Sequence, residues 1–357
     1  MVRPTCKEIR ELLNKVSKVF IIHHWDTDGV SSAAMLLRAL GNEKVVDIVT
    51  PKIGFYEFSA IPKPDFRVDT IVILDYGIHG DEYDKYYLSL KSKDARLIVI
   101  DHHAVRSPKL SNIVYYNPLS NGGSHELKYP ATSSIIYEIL GMPNDEVMKS
   151  LYLLGIVGDL APLLKVNNVM SCLKHIYSMI KELGRNIEEL KELSESIDSC
   201  YRLLDNACLK EAVYVGSRDG INGLMKLKSL IKAKAKANDL INDAFNKLHL
   251  ILNRKGVKLY ELTYNAYVTS AIGRKLAELN PKDIIVLLHH IPKLGKGYIY
   301  VRSMSRKLST LREKLTARGV KVGGKEYVLV MEYVGSKPGI DQILTIFNVV
   351  RNEYGVS

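Results

Sequence analysis

Aspartate and histidine residues follow short apolar runs in the first half of this 357-residue sequence. Such runs are typical of buried strands, and active sites of parallel α/β sheets lie at the carboxyl ends of their strands. Carboxylates and imidazoles gathered at one edge can bind divalent metal ions or transfer protons. Four segments share this arrangement: residues 23–29 (HHWDTDG), 74–77 (LDYG), 100–103 (IDHH) and 158–159 (GD).

The first segment brings three candidate metal ligands together. Alternate side chains of an extended chain point to the same side, so His24 and Asp26 can approach one ion, and Asp28 can reach a neighbouring ion after a turn. Two divalent ions about 3.5–4 Å apart stabilise both the attacking and the leaving oxygen in phosphoryl transfer. Carboxylate and imidazole ligands without a thiolate favour Mn²⁺, with Mg²⁺ as the alternative.

The four segments, in this order, resemble the signature of the DHH phosphoesterase superfamily, and the triplet at residues 101–103 is its most specific part. The resemblance covers roughly residues 18–160, and in general appearance it extends to the shorter archaeal RecJ-like nucleases. It implies a parallel-sheet DHH domain that binds two divalent metal ions. The implied metal ligands are His24, Asp26, Asp28, Asp75, His102 and Asp159.

The resemblance also implies a division of roles at this site. Asp75 would bridge the two ions, with His24 and Asp26 on one ion and the remaining ligands on the other. The catalytic residues implied are Asp75, Asp101, His102 and His103. In this set Asp101 orients His102, as expected for the partner of a metal-bound imidazole, and His103 contacts the scissile phosphate.

Several of these residues also have a purely structural interpretation. An aspartate after a strand is often a helix cap or a turn former, so Asp28 can simply cap the helix that follows it. The pair His289-His290 also follows a predicted strand, but no aspartate precedes it and no metal role is assigned to it.

The alternation of strand and helix patterns predicts an α/β protein. We expect a DHH catalytic domain at residues 1–165, a helical connector at 166–250 and a smaller α/β substrate-binding domain at 251–357. Predicted strands cover residues 19–24, 70–74, 97–100, 257–263, 283–289, 298–303 and 327–333. Predicted helices cover residues 31–40, 133–140, 146–156, 187–203, 267–279, 308–318 and 340–351.

Positive charge is concentrated in the second half of the chain. The net charge is +11, to which residues 1–200 contribute −3 and residues 201–357 contribute +14. Such asymmetry is typical of a module that binds a polyanion, and we interpret it as a single-stranded nucleic-acid surface. The alternative is a solvated basic surface, with or without acidic protein partners.

Substrate contacts are expected in the third predicted domain as well as at His103. Arg302 and Arg306 are the first candidates for phosphate contacts, and Lys307, Arg312 and Lys325 are weaker ones. Gly323 and Gly324 resemble a glycine-rich loop whose amides approach a phosphate, although a simple β-turn explains them almost equally well. The histidine usual in the family after these glycines is replaced by Lys325 and Glu326.

Apolar run lengths, the N-terminal sequence and the cysteine spacing indicate the cellular location that we expect for the protein. No apolar run reaches membrane-spanning length and the N-terminus lacks a signal-peptide pattern, so no membrane association and a cytoplasmic location are expected. The four cysteines, at positions 6, 172, 200 and 208, form no CxxC pair. The spacing therefore suggests neither a zinc site nor a disulfide framework.

Three classes of function compete on this sequence. The first is a manganese-dependent exonuclease that hydrolyses single-stranded DNA or RNA in DNA repair or replication, with replication or repair proteins as partners. The second is an oligoribonuclease or dinucleotide phosphodiesterase, which needs the same metals but only a compact cleft. The third is a replisome-associated RecJ-like scaffold, which ranks last because relatives of that kind tend to lose the metal residues. A pyrophosphatase would not require so basic a second half.

Overall fold

A computed structural model describes residues 4–91, 94–103, 105–120, 129–160, 174–254, 256–335, 338–339, 343 and 346–350. The chain divides into two compact units, Met1–Ala235 and Lys236–Ser357. The boundaries expected from the sequence, at residues 165 and 250, remain predictions about domain organisation. The α/β class and the parallel sheet of the first unit are as predicted.

The first unit is built on a five-stranded sheet in which every strand pair is parallel. Its strands are β1 (Val19–His23), β2 (Val45–Val49), β3 (Thr70–Leu74), β4 (Arg96–Ile100) and β5 (Ile113–Tyr116). Every residue of β1 and β3 is buried, as expected for the Val- and Ile-rich central strands of a parallel sheet. The strands β2 and β5 are not among the predicted elements.

The strand order β2-β1-β3-β4-β5 fixes where a ligand can bind. The chain leaves β1 towards β2 on one side and later adds β3, β4 and β5 on the other. This reversal creates a crevice outside the carboxyl ends of β1 and β3, the usual ligand site of open α/β sheets. The segments that follow these two strands therefore lie where the fold itself favours a site.

Helices of the first unit pack mainly around one helix that follows β1. The helices are α1 (Cys6–Asn14), α2 (Thr27–Leu40), α3 (Gly80–Leu88), α4 (Thr132–Ile139), α5 (Glu146–Leu160), α6 (Lys174–Glu182), α7 (Ile187–Arg202), α8 (Asn206–Lys226) and α9 (Lys228–Asn246), the last of which crosses the unit boundary. Helix α2 packs against α4, α5 and α8, and α5 packs against α7. Within the described ranges, no helix is both long enough and apolar enough to cross a membrane.

Helix α2 begins four residues before the predicted start at Ser31. Asp26 caps it, because its Oδ1 accepts a hydrogen bond from the Gly29 amide at 3.0 Å. The helix ends at Gly41, whose φ of 85° is readily adopted only by glycine. The sequence therefore locates the end of this helix correctly but misses its first turn, which contains Asp28.

The cysteine spacing suggested no disulfide framework, but the structure contains a disulfide. Cys200 and Cys208 are joined by a disulfide with their Cα atoms 5.7 Å apart. The short turn between α7 and α8 brings the last turn of one helix beside the first turn of the next, which the spacing in the sequence does not reveal. Cys6 is a free thiol, and Cys172 lies outside the described residues.

The second unit contains a six-stranded mixed sheet of order β10-β11-β9-β8-β7-β6. Its strands are β6 (His249–Arg254), β7 (Val257–Thr263), β8 (Ile284–Ile291), β9 (Lys296–Ser303), β10 (Gly323–Lys325) and β11 (Val328–Val334). Only β7 and β8 pair in parallel among these strands. Alternate residues form two cores, one with helix α10 (Thr269–Leu279) and one with helix α11 (Ser309–Ala317).

The glycine pair of the second unit does not form the expected loop. Gly323 and Gly324 lie in the edge strand β10, where they pair antiparallel with Val330 and Leu329. A two-residue connection then leads into β11, so the turn falls after the glycines rather than at them. Gly324 has a φ of 118°, which explains the need for glycine within this strand.

Close packing of α5 on the metal-ligand segment gives a first prediction. A Cβ at Gly155 would collide with Ser133 Oγ and lie 2.7 Å from Asp28 Oδ1. We expect Gly155→Ala to lower the free energy of unfolding by about 1–3 kcal/mol, measured by urea denaturation. Gly216→Ala is the matched control, since a Cβ there meets Ala34 and Leu151 at an ordinary 3.4 Å.

The control should leave stability unchanged or raise it by up to about 1 kcal/mol, because alanine is the better helix former. Equal destabilisation by both substitutions would show that the close contact at Gly155 is not the cause.

Candidate metal centre

Backbone hydrogen bonds fix the first residue after each of three strands. The amides of His24, Asp75 and Asp101 donate to the neighbouring strand, with N···O distances of 3.0 to 3.1 Å. Each bond extends the parallel ladder by one step beyond the strand end. Their side chains are therefore held at one edge of the sheet by the same network that forms it.

Asp75 has a backbone conformation that most residues avoid. Its φ of 63° lies in the left-handed region, where aspartate is tolerated better than bulky or β-branched residues. Such conformations are retained mainly where the surrounding structure imposes them, and they concentrate at functional sites. Here the conformation accompanies a fully buried carboxylate that faces two groups of candidate ligands.

The first group consists of His24, Asp26 and Asp75, whose ligand atoms all lie within 4.8 Å of one another. His24 Nδ1 is 2.8 Å from Asp26 Oδ2 and 3.8 Å from Asp75 Oδ2. These are the three residues assigned to one ion by the sequence. The structure brings them together, and their role as ligands remains a prediction.

The second group consists of Asp28, His102 and Asp159, with the same mutual limit of 4.8 Å. His102 Nε2 is 3.0 Å from Asp159 Oδ2, 4.0 Å from Asp28 Oδ2 and 3.5 Å from Asp75 Oδ1. Asp75 therefore turns Oδ2 towards the first group and Oδ1 towards the second. This is the geometry that a carboxylate shared by two ions requires.

Unsatisfied polar atoms show that a cation fits this cluster. Among the described residues, Asp75 Oδ2 and His102 Nδ1 are buried and make no hydrogen bond, whereas His24 Nδ1 and His102 Nε2 each lie within 3.0 Å of a carboxylate oxygen. A buried polar group left without a partner costs about 1–3 kcal/mol. A divalent cation would pair with Asp75 Oδ2 and with the imidazole nitrogens that face the carboxylates, and the mixture of oxygen and nitrogen donors suits Mn²⁺.

The pKa shifts in the cluster indicate crowded negative charge that a bound cation would stabilise. Burial, followed by repulsion from Asp28, Asp26 and Asp159, raises the pKa of Asp75 well above its ordinary value. Burial and the charge of Asp159 likewise raise the pKa of Asp28. The pKa of Asp26 is lowered, because the neighbouring His24 outweighs the effect of burial.

Asp28 has a structural role that differs from the one considered in the sequence. It does not cap α2, which Asp26 does. Instead both of its oxygens accept hydrogen bonds from the first amides of α4, Thr132 N at 2.6 Å and Ser133 N at 2.9 Å. Thr132 Oγ1 also donates to Asp75 Oδ1 at 2.9 Å, so the start of α4 positions two candidate ligands.

The expected pairing of Asp101 with His102 is not seen. Asp101 Oδ1 lies 2.8 Å from His103 Nδ1, which donates the hydrogen bond. Residues two apart in an extended chain point to the same side, whereas His102 points to the other side and reaches Asp159. The His103 side chain is 32% exposed and its Nδ1 lies 3.8 Å from Asp75 Oδ1, so it borders the cluster.

Sequence reasoning missed a contact from α7 to the first ligand segment. Thr27 donates to Asp198 Oδ1 through its amide at 3.1 Å and through its hydroxyl at 2.8 Å. Ser194 Oγ is 3.1 Å from the same hydroxyl, and the buried Arg202 lies 3.9 Å from Asp198 Oδ2. Since 171 residues separate Thr27 from Asp198, no local pattern in the sequence signals this contact.

The candidate phosphate-contacting residues of the second unit differ in their burial and in their partners. Arg302 is only 6% exposed, its Nη1 donates to Tyr300 Oη at 2.9 Å, and its Nε has no hydrogen-bond partner within the described residues. Arg306 and Arg312 are half-buried, while Lys307 Nζ lies 2.5 Å from Glu326 Oε1.

Lys325 and His289 are the two remaining positions of the second unit that the sequence singles out. The backbone of Lys325 belongs to β10, but its side chain lies outside what the structure describes. His289 is fully buried against Thr269 at 2.7 Å, and no metal-capable group within the described residues includes it.

Several solved structures resemble this chain over nearly its whole length. The chain resembles a RecJ from Thermus thermophilus in complex with Mn²⁺, with a TM-score of 0.65 and 16% identity over 97% of this chain and 55% of that chain. This chain therefore spans about half the length of that RecJ. CDC45 from Entamoeba histolytica gives a TM-score of 0.56 and 10% identity over 98% and 99% of the two chains.

A pGpG-specific phosphodiesterase from Vibrio cholerae gives a TM-score of 0.50 and 12% identity over 95% of this chain and 99% of that one. At these identities the likeness shows a shared fold alone. No curated protein sequence matches the chain.

The family comparison concerns the part of the chain that carries the candidate site. Residues 18–157 match the model of the DHH family, N-terminal domain. The matched range contains His24, Asp26, Asp28, Asp75 and His102, and ends two residues before Asp159. This match, which covers less than half of the chain, shows that residues 18–157 are similar to the N-terminal domain of the DHH family.

Proposed function

We propose that the protein is a manganese-dependent phosphodiesterase that hydrolyses single-stranded nucleic acid as an exonuclease. The observation that carries this proposal is the placement of Asp75, whose two oxygens face separate groups of metal-capable side chains. The unsatisfied Asp75 Oδ2, and the imidazole nitrogens beside it that face carboxylates, support bound cations. When bound, two divalent ions would lower the pKa of water and offset charge on a phosphate.

The chain's own residues supply the remaining requirements of phosphoester hydrolysis. His103 borders the cluster and is partly exposed, so it can reach a substrate phosphate. The buried carboxylate of Asp101 accepts a hydrogen bond from His103 Nδ1 and so fixes the orientation of the ring. Nε2 is then the ring nitrogen that would contact a phosphate oxygen, which gives Asp101 a positioning role through His103.

The distribution of charge favours a long strand over a dinucleotide. Residues 236–357 carry a net charge of +10, whereas residues 1–235 carry +1. A dinucleotide presents too few phosphates to engage a surface of this size. The buried guanidinium of Arg302, with its unsatisfied Nε, supports a phosphate contact in the same unit. Retention of all six candidate ligands argues against a non-catalytic scaffold.

Digestion of end-labelled single strands of DNA and RNA with Mn²⁺ tests the activity directly. We expect stepwise shortening from one end, with dinucleotides cleaved more slowly than long strands. Preferential cleavage of dinucleotides would favour the small-substrate alternative, and no cleavage of any substrate would favour the scaffold.

The shared position of Asp75 predicts the effect of removing its charge. Mn²⁺-soaked crystals should show two anomalous peaks that share Asp75, and Asp75→Asn should weaken Mn²⁺ binding, measured by calorimetry, by about 100-fold or more. Because one of several crowded carboxylates is neutralised, the same variant should be more stable to heat than the wild type in EDTA. Asp65→Asn, which removes a charge from an exposed loop, is the control and should change neither property.

A single Mn²⁺ peak, or an Asp75→Asn variant that binds Mn²⁺ normally, would contradict the assignment of Asp75 as the bridge.

The basic second unit predicts a steep dependence of binding on salt. Each phosphate contact on a single strand should contribute a slope of about 0.7 log units in affinity per log unit of salt. Arg306→Ala and Arg302→Met should weaken binding of long strands and flatten that slope, with circular dichroism confirming that the variants fold. Lys307→Ala is the control and should have a smaller effect, since Glu326 already compensates that charge.

Equal losses on long strands and dinucleotides would place the arginines at a compact substrate site. An unchanged salt slope in both arginine variants would indicate that the positive charge forms a solvated surface without a role in strand binding.

A further inference from the structure

Helix α7 holds the residue that lies between two candidate metal ligands. Thr27 separates Asp26 from Asp28 in the chain and is almost completely buried. Its amide and its hydroxyl both donate to Asp198 Oδ1, at 3.1 and 2.8 Å. Since Asp198 belongs to α7, the position of the first ligand segment depends on a helix that supplies no candidate ligand.

These two hydrogen bonds fix the backbone beside Asp26. The amide of Thr27 belongs to the planar peptide group that joins it to Asp26, so its hydrogen bond sets the orientation of that group. Ser194 Oγ, also on α7, donates to the Thr27 hydroxyl at 3.1 Å. Helix α5 packs against the same point, because a Cβ at Gly158 would lie 2.8 Å from Thr27 Cβ. Thr27 is therefore enclosed by α5 and α7.

Asp198 also shares the capping of α2 with Asp26. The first amides of a helix have no partner within the helix and need acceptors from elsewhere. Asp26 Oδ1 accepts from the Gly29 amide at 3.0 Å, whereas the Thr27 amide is satisfied by Asp198. Asp26 therefore keeps Oδ2 directed at His24 Nδ1, 2.8 Å away, where the first group of candidate ligands meets.

Arg202 compensates the charge of Asp198 next to an already crowded cluster. Arg202 Nη2 lies 3.9 Å from Asp198 Oδ2, one helical turn away on α7. The two side chains are only 5% and 16% exposed, so solvent screens their attraction weakly. Among the described residues, no metal-capable group includes Asp198. This geometry suits a hydrogen-bond acceptor for Thr27 rather than a further metal ligand.

The two groups of candidate ligands differ in how much they depend on Asp198. Asp28, in the second group, is fully buried and accepts hydrogen bonds from two amides of α4. The Asp26 side chain is 27% exposed and lies at the start of α2, where Thr27 is anchored to α7. Loss of Asp198 should therefore disturb the group that contains His24 and Asp26 before it disturbs the group that contains Asp28.

We propose that Asp198, compensated by Arg202, is a positioning residue that holds Asp26 in place for the cation beside His24. It acts through Thr27 and touches neither a cation nor a substrate. The proposal rests on the two cations of the proposed function. It goes beyond that function by making one of the two cations dependent on α7, which lies outside the segments that supply the ligands.

Binding of Mn²⁺ to the full-length protein tests this role without a substrate. We expect Asp198→Ala to weaken the binding of one ion by about 10- to 100-fold in calorimetry, with little change for the other ion. In crystals soaked at limiting Mn²⁺, the anomalous peak beside His24 should weaken while the peak beside His102 persists. Asp198→Asn should lose less affinity than Asp198→Ala, because its amide oxygen can still accept both hydrogen bonds from Thr27.

Two further variants separate positioning from folding. The double variant Asp198→Ala/Arg202→Met removes both charges of the pair, so no buried guanidinium is left uncompensated, and it should show the same selective loss. Ile197→Val is the matched control, since it shortens a fully buried side chain of α7 by one carbon and removes no hydrogen bond. It should lower the melting temperature slightly and bind both ions as the wild type does.

Unchanged affinity for both ions in Asp198→Ala and in the double variant, or equal weakening of both ions, would overturn the proposal. An equal loss in Ile197→Val would also overturn it, because α7 would then act through packing alone. A wild-type protein that binds both ions but cleaves no phosphoester would contradict the proposed function and leave the role of Asp198 intact. A wild-type protein that binds no Mn²⁺ would overturn both.

Discussion

Repulsion among buried carboxylates is the constraint that the rest of the first unit must compensate. Asp28, Asp75 and Asp101 are almost completely buried, and Asp26 and Asp159 adjoin them. Two unit charges 4 Å apart interact with about 4 kcal/mol at an effective dielectric constant of 20, so such a cluster is costly without compensation. Burial first, and then this repulsion, raises the pKa of Asp75, and bound cations would offset both effects.

The fold already offsets part of that repulsion through its helices. Helix α2 begins at Asp26, and the first amides of α4 donate to Asp28, so two helix N-termini direct partial positive charge at the same carboxylates. The hydroxyl of Thr132 adds a donor to Asp75. Backbone and hydroxyl dipoles thus hold the carboxylates in place before any ion arrives, which reduces the cost of organising the site on binding.

The elements that carry the site could be predicted because their sequence signals are local. The runs at β1, β3 and β4 are apolar and buried, and each ends in the aspartate or histidine that marks the site. The strand β2 escaped prediction because Asp47 interrupts its apolar pattern at a sheet edge. The contact of Asp198 with Thr27 could not be predicted, since it depends on how α7 packs against α5.

The hydrogen bond of Asp101 shows that the partner of a side chain is harder to predict from the sequence than the element that carries it. The sequence places Asp101, His102 and His103 in succession, but only the direction of each side chain decides which histidine the aspartate contacts. The disulfide between Cys200 and Cys208 likewise depends on the turn between two helices rather than on cysteine spacing. Residue types and strand ends were sufficient to indicate the candidate site, whereas partners within it required coordinates.

The hydrogen bonds that Asp28 accepts from α4 have a consequence for how relatives of this protein can diverge. If the proposed metal chemistry were lost in a descendant, Asp159 or His102 could be replaced without removing a helix cap. Loss of Asp28 would instead leave the first amides of α4 without an acceptor and weaken that helix by about 1 kcal/mol. We therefore expect inactive descendants to keep aspartate, asparagine or serine at this position, so that its persistence alone is poor evidence of retained catalysis.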